Sequence, residues 1–224
     1  HARRSADAVA AWEQHRPGKP LILALTGTDL YQDILVNAQA QRSLKIAQRL
    51  IVLQDQGPLA LPAPLRQRCH VVLQSSTRRQ TLEKSGAHLR ALTVGHLREE
   101  KSPRTLFDAA QQLRETDGIL LDHIGRSLDP LLDQAARTTM AACPHYRWLG
   151  GLPYEATRQR IQRAHVLVHP SRIEGGAHVI MEAALSGTPV LASRVPGNVG
   201  MLGADYAGYF EPGDTAGLVR LLRT

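Results

Sequence analysis

The stretch that decides the fold is residues 165–183, which read His-Val-Leu-Val-His-Pro-Ser-Arg-Ile-Glu-Gly-Gly-Ala-His-Val-Ile-Met-Glu-Ala. The apolar run that ends at His169 predicts a buried strand, and residues 177–185 have the periodicity of a helix. We expect Glu174 in the loop at the carboxyl end of the strand, where doubly wound folds place their ligands. Gly175 and Gly176 let backbone N–H groups approach an anion closely, beside a helix N-terminus that favours negative charge.

The two glutamates of this stretch, Glu174 and Glu182, are candidate ligand-binding residues. Glu182 is predicted two turns into the helix, where a carboxylate can accept hydrogen bonds from vicinal hydroxyls, as carboxylates do for ribose. The alternative is that both are solvated glutamates of an ordinary helix start. The flanking sequences, His-Pro-Ser before and Glu-Ala-Ala-Leu-Ser-Gly-Thr-Pro-Val after, favour the ligand-binding interpretation.

Outward from this stretch, short apolar runs alternate with amphipathic ones. Strands are predicted at Leu21–Thr26, Leu50–Leu53, His70–Leu73, Ala91–Val94, Ile119–Ile124, Tyr146–Leu149, His165–His169, Pro189–Ala192 and Tyr209–Phe210. Helices are predicted at Ala2–Gln14, Pro103–Glu115, Leu128–Ala142, Tyr154–Arg163, Ala177–Leu185 and Thr215–Leu222. This alternation indicates βαβ units, hence the α/β class with a parallel sheet covered on both faces.

A domain boundary is predicted near residue 88, which gives domains at 1–88 and 89–224. The sequence Ser-Gly-Ala-His at 85–88 is rich in turn formers, and Val94-Gly95 then restarts a strand–glycine–helix unit. The first domain holds only about three predicted strands, whereas a doubly wound domain usually has five or six. We therefore expect the first domain to be truncated at its N-terminal side.

Composition narrows the functional classes. The 224 residues are 43% hydrophobic and 21% charged, as in a soluble folded protein, and no apolar run approaches a transmembrane length. The net charge of +7 is spread over scattered arginines and aromatics are only 4%, which argues against nucleic acid and suits a small anionic ligand. Cys69 and Cys143 indicate thiols of a reducing compartment, so the cytoplasm is expected. No metal site is expected, because the histidines lack ligand-like spacing.

Residues 170–190 carry the pattern Pro-Ser-x-x-Glu-Gly-x-x-x-x-x-x-Glu-Ala followed by Gly-x-Pro-Val. This pattern closely resembles the signature of group 1 glycosyltransferases of the GT-B fold. The resemblance implies two Rossmann-like domains that face a cleft, with the first domain truncated here. It also implies that Glu174 contacts the donor sugar and that Glu182 binds the ribose. The family's usual Gly-Phe-Gly is replaced here by Gly175, Gly176 and Ala177, which are expected beside the donor.

A second motif, residues 94–101, reads Val-Gly-His-Leu-Arg-Glu-Glu-Lys. It resembles the family pattern Val-Gly-Arg-Leu followed four residues later by Lys, in which the cations neutralise the diphosphate. The resemblance places Gly95 and His96 at the donor and gives Lys101 the diphosphate contact. Arg98 is expected to supply the guanidinium that His96 does not, since two cations suit a leaving diphosphate. The alternative is a solvated first turn, with both cations paired to the neighbouring glutamates.

The N-terminal region has one distinctive motif, Leu-Thr-Gly-Thr-Asp-Leu-Tyr at residues 25–31. A strand that ends at Thr26 and a turn at Gly27 leave hydroxyls and N–H groups that can hold an anion. We expect Thr26, Gly27, Thr28 and Asp29 to bind the acceptor, unless Asp29 is only an N-cap or fixes the loop. Gly27 is expected to tolerate a β-carbon least.

Together with the motifs at 94–101 and 196–200, this stretch resembles one subgroup, the selenosugar synthases of selenoneine biosynthesis. That resemblance implies transfer of a sugar from a UDP-sugar, such as UDP-N-acetylglucosamine, to selenophosphate. UDP-sugar and selenophosphate would be the small-molecule partners, and no cofactor is expected. Two alternatives remain open: a group 1 transferase that acts on a glycan, lipid or small alcohol, and a non-catalytic nucleotide-sugar-binding module.

Overall fold

The computed structural model describes every residue from 1 to 224. Strands form at all nine predicted positions, and their bounds differ from the predicted ones by at most a few residues. They are β1 Ile22–Ala24, β2 Arg49–Val52, β3 Cys69–Val71, β4 Leu89–Val94, β5 Ile119–Ile124, β6 Tyr146–Trp148, β7 Val166–His169, β8 Val190–Ser193 and β9 Tyr209–Phe210. All neighbouring strands pair in parallel, which confirms the α/β class.

The six predicted helices also form, and four further helices accompany them. In chain order they are α1 Ala6–His15, α2 Ile34–Val36, α3 Ala38–Ile46, α4 Ala63–Arg66, α5 Pro103–Gln112, α6 Pro130–Ala142, α7 Tyr154–Arg163, α8 His178–Ala184, α9 Pro196–Leu202 and α10 Thr215–Arg223. A short π-helix, Asp29–Asp33, leads directly into α2. None of these helices combines the length and the apolar character that crossing a membrane requires.

The chain divides into two compact units. Unit 1 comprises residues 1–74, 173–177 and 196–205, and unit 2 comprises residues 75–172, 178–195 and 206–224. The predicted boundary at residue 88 lies 14 residues beyond the end of the first unit-1 segment at residue 74. Residues 75–88 are grouped with unit 2, where Arg79 N–H donates to the Leu185 carbonyl over 2.9 Å.

Unit 2 contains a six-stranded sheet in the order β6-β5-β4-β7-β8-β9. Its central strands are apolar on both faces; in β7 all four residues are buried, as a doubly covered parallel sheet requires. The main core of unit 2 includes Leu97, Leu106, Phe107, Leu121, Leu132, Tyr146, Val168 and Leu218. This core holds α5, α6 and α10 against the sheet, because their apolar faces contribute to it.

Unit 1 contains a three-stranded sheet in the order β1-β2-β3. Its core includes Val9, Leu23, Leu25, Leu30, Leu44, Leu50, Val52 and Leu61, which come from α1, α3 and the strands with their adjoining turns. Asn37 begins α3 as an N-cap, since its side chain accepts a hydrogen bond from Ala40 N–H. Helix α9 belongs to this unit and adjoins the turn after β2, where Asp55 N–H donates to the Gly200 carbonyl.

Candidate active site

The two strongest motifs meet where the strand order of the unit 2 sheet reverses. Strands β4 and β7 are neighbours, while the chain proceeds from β4 toward β6 on one side and from β7 toward β9 on the other. The loop 95–101 follows β4, and the loop 170–177 follows β7. A backbone hydrogen bond of 2.9 Å from Arg172 N–H to the Glu100 carbonyl joins these loops. Crevices at such switch points are where open α/β sheets bind ligands.

The loop after β4, called the basic loop below, brings Arg98 and Lys101 close to His96 and also carries two carboxylates, Glu99 and Glu100. Desolvation lowers the pKa of His96, and the positive charges of Arg98, Arg126 and Lys101 lower it further. Arg98 Nε is buried and has no hydrogen-bond partner. The carbon chain of Lys101 runs alongside Gly95, with Cδ 3.6 Å from the position a β-carbon would take there. These features favour the diphosphate interpretation of the motif.

Arg126 is a residue that the sequence motifs did not single out. It lies on the loop after β5, where its backbone N–H donates to His96 Nδ1 over 3.0 Å. Its carbonyl in turn accepts from Leu97 N–H over 3.0 Å. The loops after β4 and β5 are therefore paired, and the signal that could have found Arg126 is its position just after the carboxyl end of the neighbouring strand.

A buried histidine fixes the start of the basic loop. His123 Nε2 lies 3.0 Å from the Gly95 carbonyl, and His123 Nδ1 lies 3.1 Å from the Tyr146 hydroxyl. Because a carbonyl only accepts, Nε2 carries the proton and Nδ1 accepts from the tyrosine. Burial lowers the pKa of His123 to about 4, against the opposing effect of the hydrogen bond to Gly95. Neutral His123 therefore positions Gly95 without adding charge.

Glu182 lies one turn into α8, rather than the two turns predicted, because the helix begins at His178. It is 6% exposed, and its Oε1 is buried without a hydrogen-bond partner. An arginine and a histidine face this oxygen: Arg158 Nη1 lies at 3.6 Å and His178 Nδ1 at 3.5 Å. The charge of Arg158 thus attracts the carboxylate, although Oε1 accepts no hydrogen bond. It is not a solvated glutamate.

Glu174 lies in unit 1 within a loop that backbone contacts hold in place. The residue is 7% exposed, which contradicts the solvated alternative. A β-carbon on Gly197 would lie 2.5 Å from the Glu174 carbonyl carbon, and one on Gly27 would lie 2.7 Å from Gly175 N. These glycines are required because two other backbone segments approach the loop closely.

Gly176 stands where the family pattern usually has phenylalanine, and the structure accounts for the difference. Its φ is +150°, which side-chain-bearing residues rarely adopt. A β-carbon there would also lie 2.5 Å from Leu53 Cβ. Glycine is therefore the residue that fits this backbone conformation beside Leu53.

The motif at residues 26–29 is built around a buried carboxylate. Asp29 is 1% exposed; its Oδ2 accepts from Thr26 N–H at 2.9 Å and from the Thr26 hydroxyl at 3.0 Å. Its Oδ1 accepts from Ala2 N–H at 2.8 Å. Asp29 does not act as an N-cap, because the bonds from Thr26 hold the loop that precedes it. Thr26 and Asp29 hydrogen-bond to one another, and Gly27 is buried against the backbone of Gly175.

The predicted site residues thus fall into two groups. Unit 2 holds Gly95, His96, Arg98, Lys101 and Glu182. Unit 1 holds Thr26, Gly27, Thr28, Asp29, Glu174, Gly175 and Gly176. Within unit 1 the structure places Gly27 directly against Gly175, so the motif expected at the acceptor adjoins the glutamate loop expected at the donor sugar.

The chain belongs to the family of group 1 glycosyl transferases, whose profile matches residues 43–223. Glycogen synthase of Mycobacterium tuberculosis, from two strains, is 31% identical to this chain over 137 residues. The match covers 59% of this chain and 33% of that protein, so the chain matches about a third of the length of these curated relatives.

Solved structures show the same fold. HepE of Anabaena in complex with UDP and glucose matches 100% of this chain with a TM-score of 0.81 at 16% identity, and 66% of that chain is covered. The pneumococcal O-GlcNAc transferase GtfA in complex with UDP and GlcNAc matches 91% of this chain with a TM-score of 0.66 at 19% identity, and 43% of that chain is covered. These likenesses confirm the GT-B-like α/β architecture.

Proposed function

We propose that the protein transfers a sugar from a UDP-sugar, such as UDP-N-acetylglucosamine, to selenophosphate. The observation that carries the donor half is the loop 95–101 at the switch point of the unit 2 sheet, where Arg172 N–H, just after β7, donates to the Glu100 carbonyl. Membership of the group 1 family supports glycosyl transfer. UDP as the nucleotide is supported by similar structures whose complexes contain UDP.

Each donor-side residue has a distinct part in this proposal. Glu182 accepts hydrogen bonds from the ribose hydroxyls, with Arg158 and His178 near its Oε1. Glu174 binds hydroxyls of the donor sugar, with the backbone N–H groups of Gly175 and Gly176 nearby. No cofactor takes part, since the UDP-sugar is the substrate and carries its own leaving group.

Departure of UDP is the step that the basic loop assists. The bond between sugar C1 and the diphosphate oxygen breaks, and its electron pair leaves with UDP. Lys101 and Arg98 stabilise the negative charge that develops there, while Gly95 and His96 line the same anion site. Charges that are already in position need little reorganisation during the reaction, which is why this contribution is usually large.

The acceptor side follows from the motif at 26–29. A selenium lone pair forms the new bond to C1 as the bond to UDP breaks, so no oxidant or reductant is needed. Such a soft nucleophile needs little help from a general base. The N–H groups of Gly27 and Thr28, with the Thr28 hydroxyl, hold the acceptor oxyanion, and Asp29 and Thr26 keep the loop in shape. We assign residues 1–88 to the acceptor domain and 89–224 to the donor domain, and we place the reaction in the cytoplasm.

A second candidate is transfer to a glycan, and the similarity to mycobacterial glycogen synthase favours it. The two candidates share the donor site and differ only in the acceptor. Full-length protein is incubated with UDP-N-acetylglucosamine or UDP-glucose and with either selenophosphate or a maltooligosaccharide, and products are identified by mass spectrometry. We expect a product with selenium bonded to the sugar, and no product from the Glu174→Gln variant. Elongation of the oligosaccharide alone would establish the second candidate and remove the first.

A further inference from the structure

Arg158 is a buried cation that the proposed mechanism does not use. It lies in the middle of α7 and is 0% exposed, although arginine is among the residues least often buried without a partner. Its Nη1 lies 3.6 Å from Glu182 Oε1. Removing such a charge from water is costly, so its surroundings must supply compensation.

Two hydrogen-bond acceptors for Arg158 belong to the segment after residue 74. Arg158 Nη2 donates to the Thr77 carbonyl over 2.9 Å, and Nη1 donates to the Ser76 hydroxyl over 3.3 Å. The guanidinium is thus fixed on one side by residues 76–77 while it faces Glu182 on the other. Its orientation is determined by neutral acceptors and does not depend on the carboxylate.

The distance between Arg158 and Glu182 indicates which kind of interaction joins the two side chains. At 3.6 Å the two charges attract, but the contact is too long to count as a hydrogen bond, and Oε1 has none from any other donor. A carboxylate that made a bidentate hydrogen-bonded pair with arginine would have fewer lone pairs for a diol. Here the positive charge of Arg158 attracts and orients the carboxylate without using a lone pair of Oε1 in a hydrogen bond.

We propose that Arg158 is the positioning residue for Glu182 and thereby determines how tightly the protein binds the ribose diol of the nucleotide. The inference rests on the proposed role of Glu182 as the ribose ligand. Arg158 itself touches neither ribose nor the reacting atoms. The selectivity for a nucleotide with both ribose hydroxyls is therefore built partly by a side chain of α7.

The chain offers a matched control on the same helix. Gln162 is 8% exposed, and its Nε2 donates to the Gln80 carbonyl over 2.8 Å. Like Arg158, it holds the segment after residue 74, but it forms no hydrogen bond with Glu182. Gln162→Ala therefore loosens the segment while Glu182 keeps its charged neighbour.

The test compares UDP with 2′,3′-dideoxy-UDP by calorimetry on the full-length protein. We expect the native protein to bind UDP at least about tenfold more tightly than the dideoxy analogue, as charged hydrogen bonds to hydroxyls imply. Arg158→Gln should reduce this ratio to nearly that of Glu182→Gln and leave the affinity for the dideoxy analogue unchanged. Arg158→Lys should give an intermediate ratio, and Gln162→Ala should keep the native one.

Four outcomes would overturn the inference. Equal losses for both nucleotides in Arg158→Gln would assign Arg158 a purely structural role, and so would a reduced ratio in Gln162→Ala. If Glu182→Gln lowers the ratio of UDP to dideoxy-UDP affinity and Arg158→Gln does not, the inference about Arg158 fails while the ribose role of Glu182 stands. If Glu182→Gln keeps the native ratio, the ribose role of Glu182 fails as well. If Arg158→Gln does not fold, Arg158→Lys and the double variant Arg158→Gln/Glu182→Gln decide. The double variant should match Glu182→Gln.

Discussion

The loop after β1 and the loop after β4 both turn at a glycine near the carboxyl end of a strand, but opposite kinds of buried group hold them. The first is organised by the carboxylate of Asp29, whose two oxygens accept hydrogen bonds from Thr26 and Ala2. The second is held by the neutral imidazole of His123. A carboxylate adds negative charge beneath its loop, whereas a neutral imidazole leaves the charge of the loop above it unchanged. The second loop is therefore the better place for a diphosphate.

The strongest test of this difference is removal of Lys101 from the basic loop. Lys101→Ala should lower kcat with the UDP-sugar by about 100-fold or more, because preorganised charge at a leaving group contributes on the order of 3 kcal/mol. Steady-state kinetics of sugar transfer and of donor hydrolysis would measure the effect. Lys45→Ala, which removes an exposed lysine from α3 in unit 1, is the control and should behave like the native protein. A loss of kcat below about threefold in Lys101→Ala would support the alternative, in which Lys101 is a solvated residue of a helical first turn.

The buried histidine makes the second loop sensitive to acid. The pKa of His123 is about 4 in the folded protein and about 6.5 when unfolded, so the unfolded state binds more protons between these values. The free energy of unfolding is therefore highest above pH 6.5. It should fall by about 3 kcal/mol as the pH is lowered toward 4, because the unfolded state gains a proton on His123 that the folded state does not. Urea unfolding from pH 7 to pH 4 should show this slope, and His123→Asn should remove most of it. An identical slope in that variant would mean that other groups cause the acid sensitivity.

The first loop, by contrast, should be destabilised by any side chain added at Gly27. A β-carbon on Gly27 would lie 2.7 Å from Gly175 N and 2.8 Å from the Glu174 carbonyl carbon, both of them backbone atoms. We expect Gly27→Ala to destabilise the protein by about 1–3 kcal/mol and to impair use of both substrates, since the loop with Glu174 must shift. Thermal unfolding and Michaelis constants for donor and acceptor would show this. Gly86→Ala is the control, because nothing lies within 4 Å of its β-carbon position. A change confined to the acceptor would show that the glutamate loop does not move.

The sequence predicted the positions of the strands well, because a doubly covered parallel sheet needs apolar runs of a recognisable length. The two motifs that we assign to the donor are also visible in the sequence, since residues 94–101 and 170–183 are contiguous in the chain. The short helices α2, α4 and α9 were not predicted, because a segment of three to seven residues shows too little periodicity. Their formation depends on the packing of unit 1.

The residues that support the site could not be predicted from the sequence for a different reason. His123, Arg158 and the Glu182 carboxylate become neighbours of their partners only through the fold; Arg158 and Glu182 lie 24 residues apart on different helices. Any one of the three arginines of the polar helix α7 is typical of a solvated surface, and a histidine inside an apolar strand is typical of the core. Only the contacts across the sheet and between helices distinguish their roles.

The smallest expected effect concerns Arg126, the exposed cation on the loop after β5. It raises the positive potential at His96 and lowers the pKa of that imidazole, as Arg98 and Lys101 also do. Water screens an exposed charge, so Arg126→Gln should raise the Michaelis constant for the UDP-sugar only about two- to fivefold, with kcat nearly unchanged. Because the effect is electrostatic and long-ranged, it should diminish when ionic strength rises from about 0.05 M to 0.5 M. In the same variant, NMR titration should show the pKa of His96 moved upward, since one of the charges that lower it is gone. A large loss of kcat that salt does not change would mean that Arg126 contacts the diphosphate directly, and the basic loop would then require the β5 loop as an equal part of the site.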